Sequence, residues 1–475
     1  MKRILILIGL LTISIYVFGQ TPPDTLWTKT FGGDLPDYAI SVQQTFDGGF
    51  ITLSKTSSFG SGHTDILIFK TDENGNEQWQ QIYGGVETEY AGDIKQTTDG
   101  GFIIVGTTES YGSDYNKIWL IKTDEFGNEL WNQLYGDYDN RGKSVVQTSD
   151  GGYMIAGATW ITGNNNYFDA LLIKTDENGN EEWSQTYGNS LWDEALHIDQ
   201  NENDDYVICG LQGEAQGWFF KTDSSGNLLW SQTYSVLGHT YISHFIKTND
   251  QEYILVGTTY SAESDILVVK TDENGNEIWT QTIDLSDYDE SSSICEAGTD
   301  GYIIAGTSYN EIVLINIDND GEEIWNQTYS FESACQGNSI QCIDNNGYIV
   351  SGSYLPVGSE FMSCLLMRLN SEEVNSNENL IQIDNYKLNN YPNPFNPITA
   401  IEFSIQNDSK VELSIFNIKD QKIKALAQNQ YTKGSHSIIW NGVDESNNPV
   451  SSGIYYYKLS VNGKIEVVKK CLLLK

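Results

Sequence analysis

Four acidic residues recur at one position of a repeated sequence unit, namely Asp37, Glu89, Asp193 and Asp289. Each stands where a polar loop leads into the first strand of its unit. Carboxylate oxygens are ligands that Ca²⁺ prefers, and extracellular sites bind this ion with Kd values of about 10⁻⁴ to 10⁻³ M. These residues therefore predict a calcium site. The alternative is that each acid accepts hydrogen bonds from backbone amides at its own junction between loop and strand.

A second set of polar residues follows four positions later in the same strand. Two of its members, His197 and His244, fall in adjacent units, and Asp93 is its acidic member. If this strand is the innermost of each unit, these side chains line a central channel and predict a metal or acid–base site. The alternative is that the polar groups hydrogen-bond around a water-filled channel. The full set is Ser41, Asp93, Ser144, His197, His244, Ser293 and Ser339.

Sequence motifs for catalysis are otherwise absent. The chain contains no H-E-x-x-H, no G-x-S-x-G and no C-x-x-C zinc spacing. No cofactor other than Ca²⁺ is predicted. Carboxylate pairs of the kind used in glycoside hydrolysis stay open, because spacing along the chain does not give the distance between two carboxylates.

The repeated unit is built around the segment Lys70–Trp79, whose sequence is KTDENGNEQW. The apolar run before it predicts a buried strand, the Asn-Gly pair a tight turn and Trp79 a second strand. The segment returns at residues 122–131, 174–183, 221–230, 270–279 and, less regularly, 316–325. Together with Trp27, the corresponding tryptophans lie 46 to 52 residues apart, a period that favours the blades of a β-propeller. An open β-solenoid is the alternative.

The two ends of the repeat array favour a closed ring of seven blades over residues 21–373. The last unit supplies three strands and no strand with a tryptophan. The segment Leu26–Phe31, at the opposite end, carries Trp27 and has no preceding hairpin partner. We expect it to complete the seventh blade, so that no sheet edge stays unpaired. The tryptophans are expected to pack between blades.

Residues 1–20 have the features of a signal peptide, with Lys2 and Arg3, an apolar run and the small Gly19. No later segment approaches the ~20 continuous apolar residues of a membrane-spanning helix, so we expect the mature chain to lack one. Six cysteines without framework spacing exclude a disulfide-stapled fold, although one or two bridges stay open.

The formal net charge of −39 is concentrated in the repeats. Residues 21–375 contain 13 Lys and Arg against 56 Asp and Glu, whereas residues 376–475 contain 11 against 9. So acidic a surface repels nucleic acid and anionic lipid, which argues against both as partners. It fits either a solvated surface outside the cell or a face that recruits Ca²⁺ or cationic ligands.

The repeats resemble those of PQQ-like and related secreted bacterial propellers. The resemblance rests on Asp72, Gly75 and Trp79, which match the Asp, the turn Gly and the outer-strand Trp of those repeats. The interval from Asp to Gly is one residue longer in the PQQ enzymes, and sialidase Asp-boxes are similar but differ in spacing. The resemblance covers most of residues 24–373 and implies the fold. It does not by itself imply an activity.

A second region begins after a polar linker at residues 374–385. Over residues 386–475, alternating apolar positions predict a small Ig-like β-sandwich. Its strands are predicted at residues 399–403, 411–417, 434–442, 453–459 and 469–475.

This region resembles the type A sorting domain of the type IX secretion system. The residues that carry the resemblance are Tyr391, Pro392, Asn393, Pro394, Phe395, Trp440, Gly442, Gly453, Tyr455, Lys469 and Lys470. Asp420 departs from the Gly that the family usually has before Gln421. The resemblance implies that the type IX machinery is a partner and that the chain crosses the outer membrane of a Gram-negative bacterium. A purely structural Ig-like appendage is the alternative.

Together these features predict an exported binding or adhesion module, secreted or held at the cell surface, whose ligand is a glycan or a surface protein. The alternatives are a secreted propeller enzyme, such as a glycosidase, lyase or quinoprotein, and a structural surface-layer component.

Overall fold

The computed structural model describes residues 20–112, 115–161, 167–189, 191–213, 216–236, 238–297, 301–331, 334–343, 347–370, 373–374, 388–391, 395–405, 408–417, 421–446, 448–461 and 464–473. Among these residues every regular element is a β-strand, and no helix there is long and apolar enough to span a membrane. The predicted signal peptide, apart from Gln20, lies outside the described residues. The chain divides into two compact units between Asn375 and Ser376, inside the predicted linker.

The first unit consists of seven antiparallel four-stranded sheets, here called blades 1 to 7. In chain order its strands are β1 (Gln20–Thr21), β2 (Thr25–Phe31), β3 (Asp37–Gln44), β4 (Phe50–Thr56), β5 (Asp65–Thr71), β6 (Glu77–Tyr83), β7 (Glu89–Gln96), β8 (Phe102–Thr108), β9 (Lys117–Thr123), β10 (Glu129–Tyr135), β11 (Asn140–Gln147), β12 (Tyr153–Trp160), β13 (Phe168–Thr175), β14 (Glu181–Tyr187), β15 (Asp193–Gln200), β16 (Tyr206–Gln212), β17 (Gln216–Thr222), β18 (Leu228–Tyr234), β19 (His239–Lys247), β20 (Tyr253–Tyr260), β21 (Ser264–Thr271), β22 (Glu277–Ile283), β23 (Asp289–Glu296), β24 (Tyr302–Ser308), β25 (Glu311–Ile317), β26 (Glu323–Tyr329), β27 (Cys335–Ile343), β28 (Gly347–Tyr354), β29 (Ser363–Leu369) and β30 (Glu373–Val374).

Blades 1 to 6 each take four consecutive strands, starting with β3, β7, β11, β15, β19 and β23. The first strand of each blade contacts the first strand of the next around the ring, which makes it the innermost. The third strand is almost completely buried between neighbouring blades, as in β5 and β9. The small β1–β30 pair joins the two ends of the propeller sequence.

Blade 7 is completed by the segment that the sequence predicted. Strand β2 pairs antiparallel with β29, from Thr25 opposite Leu369 to Phe31 opposite Cys364. Blade 7 also reaches blade 1 directly, because Asn338 Nδ2 donates a 2.5 Å hydrogen bond to the Ala39 carbonyl. The prediction of a closed seven-bladed β-propeller is therefore confirmed.

The tryptophans pack between blades, as expected. A Cβ atom added at Gly75, in the turn between β5 and β6, would lie 2.7 Å from a ring carbon of Trp27 in blade 7. Gly75 also has a φ of +73°, which glycine adopts without steric cost. The same contact recurs in the pairs Gly127–Trp79, Gly179–Trp131, Gly226–Trp183, Gly275–Trp230 and Gly321–Trp279. The turn glycine therefore serves the hairpin and the interblade contact together.

The aspartate of this turn is a structural residue. Asp72 Oδ1 accepts hydrogen bonds from the backbone amides of Asn74 (2.9 Å) and Asn76 (2.8 Å), and Oδ2 accepts one from the Asn76 side chain at 2.9 Å. This Asx-type arrangement holds the hairpin without an ion. Equivalent bonds form at Asp124, Asp176, Asp223 and Asp272.

One lysine of each regular unit closes the blade at the same end. Lys70 Nζ is buried and lies 3.0 Å from Asp47 Oδ2, in the turn between β3 and β4. It also donates a 2.8 Å hydrogen bond to the Thr71 carbonyl. The equivalent ion pairs are Lys122–Asp99, Lys174–Asp150, Lys221–Asp205 and Lys270–Glu252. Five of the thirteen propeller cations are thus committed to this structural role.

The second unit is the predicted Ig-like sandwich. Its strands are β31 (Leu388–Tyr391), β32 (Thr399–Ile405), β33 (Ser409–Asn417), β34 (Lys422–Tyr431), β35 (Gly434–Trp440), β36 (Gly453–Val461) and β37 (Lys464–Leu473). They form the sheets β31–β32–β35 and β34–β33–β36–β37. Strand β34 was missed because its exposed, Gln- and Asn-rich sequence at a sheet edge lacks apolar alternation.

Candidate functional site

The two ends of the propeller differ in how their connections are built. At one end, here called the turn face, are the short Asp72-type and Asp47-type turns. At the other end, the loop face, are the loops from the second to the third strand of a blade and from the outermost strand to the next blade. A recurring bond joins these two loop families, for example from Glu89 N to the Thr64 carbonyl at 2.8 Å and from Asp37 N to the Met362 carbonyl at 2.9 Å.

The four predicted calcium ligands all begin innermost strands on the loop face. Asp37, Glu89, Asp193 and Asp289 are fully buried and belong to blades 1, 2, 4 and 6. Because equivalent residues are spread around the ring, no three of them lie within the 4.8 Å that a shared ion requires. The calcium assignment to these four residues stays a prediction.

Each of these acids is held by its own loop. Asp37 accepts hydrogen bonds from the Thr56 hydroxyl at 2.5 Å and the Gly33 amide at 2.8 Å. Asp193 accepts bonds from the amides of Asn189 (2.7 Å) and Gly213 (2.9 Å). This is the arrangement of the alternative hypothesis, in which the acid satisfies backbone donors where a loop enters a strand.

In the structure, three of these junction acids lie next to a second carboxylate that the alignment of the units did not associate with them. The first or second residue of the third strand in blades 1, 3 and 5 is also acidic and lies beside the junction acid of the following blade. The resulting pairs are Asp65 with Glu89, Asp169 with Asp193, and Asp265 with Asp289. Acidic residues at the start of buried strands were the available sequence signal. The other four junctions lack such a pair.

Asp65 shows the electrostatic cost of this pairing. It is 1% exposed and its Oδ1 has no hydrogen-bond donor in the described structure. A Cβ at Gly84 would lie 1.7 Å from that oxygen and 2.9 Å from Glu89 Oε2, so the two carboxylates face each other across this glycine. Burial, followed by the nearby Glu89, raises the pKa of Asp65.

The junction between blades 5 and 6 gathers a third acid. Asp284 occupies the loop position where Gly84 stands in blade 1, and oxygens of Asp265, Asp284 and Asp289 all lie within 4.8 Å of one another. Burial and then the other two carboxylates raise the pKa of Asp265. Three such oxygens are chemically suited to Ca²⁺. Of the four predicted ligands, Asp289 is therefore the one in a group that fits the ion.

The channel-lining candidates share a local distortion. In every innermost strand the pairing register shifts just before the polar residue, as between Ala91 and Asp93 or between Ala195 and His197. A β-bulge of this kind re-aims the side chain that follows it. Contacts then run around the ring, since Ser144 Oγ donates to Asp93 Oδ2 at 3.1 Å and lies 3.5 Å from His197 Nδ1.

The two histidines stack on each other, with 4.2 Å between the ring centres of His197 and His244. Burial, and then the charge of Lys95, lowers the pKa of His197 to about 3. Burial and the neighbouring His197 lower the pKa of His244 as well. Both imidazoles are therefore neutral at physiological pH, and neither acts as a charged acid there. Among the described residues they belong to no group of three metal-binding side chains.

Two cavities open where the innermost strands begin, at the loop-face end of the channel. One, of about 420 Å³, lies between blades 7 and 1 and is lined by Tyr38, Lys55 and Gln336, among others. The second, of about 340 Å³, lies between blades 2 and 3 and is lined by Tyr90 and Arg141, among others. Aromatic and cationic side chains thus border both openings.

Four of the predicted sorting residues are buried in the sandwich, namely Phe395, Trp440, Gly442 and Tyr455. Phe395 and Tyr455 pack on the fully buried Trp440, with ring centres 5.3 and 5.1 Å away. Gly442 has a φ of +63°, and a Cβ there would contact Leu473. Gly453 begins β36, and Lys469 and Lys470 lie on β37. Tyr391 ends β31, whereas Pro392, Asn393 and Pro394 lie outside the described residues.

All six cysteines are free thiols, so the bridges left open by the sequence do not form in this structure. Cys295 and Cys342, in the innermost strands of blades 6 and 7, interact with each other, and burial raises the pKa of Cys295 well above its ordinary value.

Fold and site define a β-propeller joined to an Ig-like domain. Comparison of families agrees, because residues 168–352 match the family described as outer membrane protein assembly factor BamB. Residues 398–464 match the FlgD Ig-like domain. Each match covers less than half of the chain.

No curated protein matches the chain. Among solved structures, Sqt1 from Chaetomium thermophilum is similar, with 9% identity, a TM-score of 0.44 and coverage of 70% of this chain and 82% of that one. A mutant puromycin hydrolase complexed with PGG is also similar, with 8% identity, a TM-score of 0.46 and coverage of 77% and 58%. The chain thus spans a little over half of that hydrolase.

Proposed function

We propose that this protein is an exported binding module that recognises a glycan or a surface protein through the loop face of its propeller, without catalysing a reaction. The observation that carries the proposal is the pair of cavities at the loop-face end of the channel, about 420 and 340 Å³ in volume. These volumes fall at the small end of the range of ligand sites. The opposite face is occupied by turns whose polar groups bind one another.

The test is a glycan array probed with the full mature chain, together with an assay for released reducing ends. Binding without turnover supports the proposal. Turnover would favour the competing class, a secreted propeller enzyme. Ordered self-assembly without ligand binding would favour a structural surface-layer component.

Ca²⁺ assists this binding in our proposal, because paired carboxylates in a strongly acidic propeller attract a divalent cation. Calorimetry with Ca²⁺, and melting in Ca²⁺ or EDTA, provide the measurement. We expect binding heat and a higher Tm at millimolar Ca²⁺, and both should weaken in Asp284→Asn. Asp320→Asn, an exposed acid in a turn of blade 6, is the matched control. No heat and an unchanged Tm in the parent protein would eliminate the cation role.

Export forms the third part of the proposal. Residues 1–20 would be removed at the inner membrane, and residues 386–475 would direct the chain through the type IX machinery to the cell surface or medium of a Gram-negative bacterium. Deleting Lys469–Lys475 should leave the protein in the periplasm. Replacing Lys469 and Lys470 by Ala keeps β37 in place and separates loss of the basic tail from loss of the strand. Normal surface display of the deleted protein would contradict the sorting role.

A further inference from the structure

The junction between blades 2 and 3 differs in charge from the rest of the loop face. Where blades 1, 3 and 5 place a carboxylate at the start of the third strand, blade 2 places Lys117, and the neighbouring junction residue is Asn140. Arg141 and Lys143 follow on the same innermost strand. Five propeller cations are committed to turn-face ion pairs. Three of the remaining eight therefore belong to the strands of this junction. The Lys143 ammonium reaches Glu194 of blade 4, whereas Arg141 and Lys143 both line the cavity between blades 2 and 3.

Arg141 is held in place without using its hydrogen-bond donors. Its guanidinium carbon lies 4.2 Å from the ring centre of Phe168 and 5.2 Å from that of Trp192. Within the part of the chain that the structure describes, no carboxylate, carbonyl or hydroxyl accepts a hydrogen bond from this guanidinium. Arg368 differs, because it donates to the carbonyls of Tyr348 and Leu369. A guanidinium stacked on aromatic rings keeps its donor fork for a planar acceptor.

The two neighbouring lysines already have partners, so Arg141 is the cation of this junction that is available to a ligand. Lys143 is paired with Glu194 at 3.1 Å, and Lys117 donates to the Gly136 carbonyl. Two carboxylates, those of Glu109 and Asp139, lie near the Tyr90 hydroxyl, and Glu109 accepts a 3.3 Å hydrogen bond from it. A carboxylate ligand would bind Arg141 through paired charge-assisted bonds.

One exposed tyrosine lines the same cavity, and two others lie in the loops next to it. Tyr90 lines it and is 44% exposed, and Asn116 contributes an amide. Tyr115 and Tyr138, 53% and 42% exposed, stand with ring centres 6.0 Å apart in the two adjoining loops. Aromatic faces of this kind pack on the apolar face of a sugar ring, and their hydroxyls stay in water. This combination favours a saccharide over an acidic peptide.

We infer that the cavity of about 340 Å³ between blades 2 and 3 binds a carboxylated sugar, whose carboxylate is held by Arg141 and whose ring packs on Tyr90. The inference rests on the proposed function and specifies its ligand class. Exposed acids elsewhere on the loop face would repel such a ligand, so the subsite also sets the orientation of a longer chain.

The test is calorimetry of the full mature chain with an oligomer of galacturonic acid, its neutral methyl ester and polyglutamate. We expect the acidic oligomer to bind at least tenfold more tightly than the ester, and Arg141→Gln to remove about that factor. Tyr90→Ala should weaken both sugars. Glu109→Gln should strengthen the acidic sugar about two- to threefold at low salt. Lys29→Gln and Tyr288→Ala, distant from the cavity, are the matched controls.

Equal affinity for acid and ester, or unchanged binding by Arg141→Gln, would overturn the subsite while leaving glycan binding by the loop face intact. Polyglutamate binding as tight as that of the sugar would overturn the saccharide assignment. Absence of binding to every saccharide on the array would overturn the proposed function itself. A melting curve for each variant shows that it is folded before its affinity is compared.

Discussion

Two turn-face aspartates and two loop-face aspartates of the propeller have pKa values displaced in opposite directions. On the turn face, the side-chain amides of Asn76 and Asn180 and nearby backbone amides lower the pKa values of Asp72 and Asp176. On the loop face, burial and then a neighbouring carboxylate raise the pKa values of Asp169 and Asp265. An acid of the first kind stabilises its turn when ionised, whereas an acid of the second kind costs stability when ionised.

This difference shows at which face the polar groups find their partners within the fold. The turn face repeats one arrangement. The turn aspartate accepts hydrogen bonds from the turn, and the turn glycine packs on the tryptophan of the previous blade. The loop face departs from the repeat in each blade. It contains buried acids, two cavities and the guanidinium of Arg141, which has no hydrogen-bond acceptor among the described residues. Functional groups whose burial or lack of partners costs folding stability are typical of binding surfaces.

The most severe way to break the turn-face arrangement is to delete β2. Removing Thr25–Phe31 takes away Trp27 and leaves the edge of β29 unpaired, so we expect aggregation or a fall in Tm of about 10 °C or more. Size-exclusion chromatography and thermal melting measure this. Deleting Gln20 and Thr21, which pair only with Glu373 and Val374, is the control. A monomeric deletion protein with unchanged Tm would contradict ring closure through this strand.

A finer test separates backbone strain from interblade packing. Gly48 and Gly75 both have positive φ, but a Cβ at Gly48 has open space whereas one at Gly75 meets Trp27 at 2.7 Å. We expect Gly48→Ala to lower the free energy of unfolding by about 1 kcal/mol. Gly75→Ala should lower it by about 3 kcal/mol because overpacking adds to strain. Equal losses in urea denaturation would show that the tryptophan moves aside at no cost.

The smallest expected effect concerns the opposite pKa directions. The raised pKa of Asp65 means that its ionisation penalises the folded state above the folded pKa, and that this penalty disappears below its ordinary value of 3.8. Asp65→Asn should therefore raise the Tm at pH 7.5 by about 2 °C and leave it unchanged near pH 3.

Asp72→Asn is the matched variant with the opposite sign. The stabilisation from ionised Asp72 is present above its ordinary value of 3.8 and is lost as the pH falls through its lowered pKa. Its Tm should lie below that of the parent at pH 7.5, and the two should converge in acid. Melting both variants between pH 3 and 8 provides the check. Parallel pH profiles would refute the contrast between the faces.

The sequence by itself determined the architecture. The period of the tryptophans, the turn around Gly75 and the stray strand Leu26–Phe31 were enough to predict seven blades and the way the ring closes. These features are predictable because each depends on neighbours in the chain or on one repeated contact. The apolar alternation of residues 386–475 likewise predicted the sandwich, except for the short strand β31 and the polar edge strand β34.

Only the tertiary structure decided which functional groups meet. Alignment of the units grouped Asp37, Glu89, Asp193 and Asp289, but residues at equivalent positions are related by rotation around the ring and stay apart. Contacts instead join different positions of adjacent blades, as Asp65 with Glu89. Near the axis the radius is small enough for equivalent residues to touch, which is why His197 and His244 stack. A repeat pattern specifies positions within a blade, whereas neighbours between blades depend on the curvature of the closed ring.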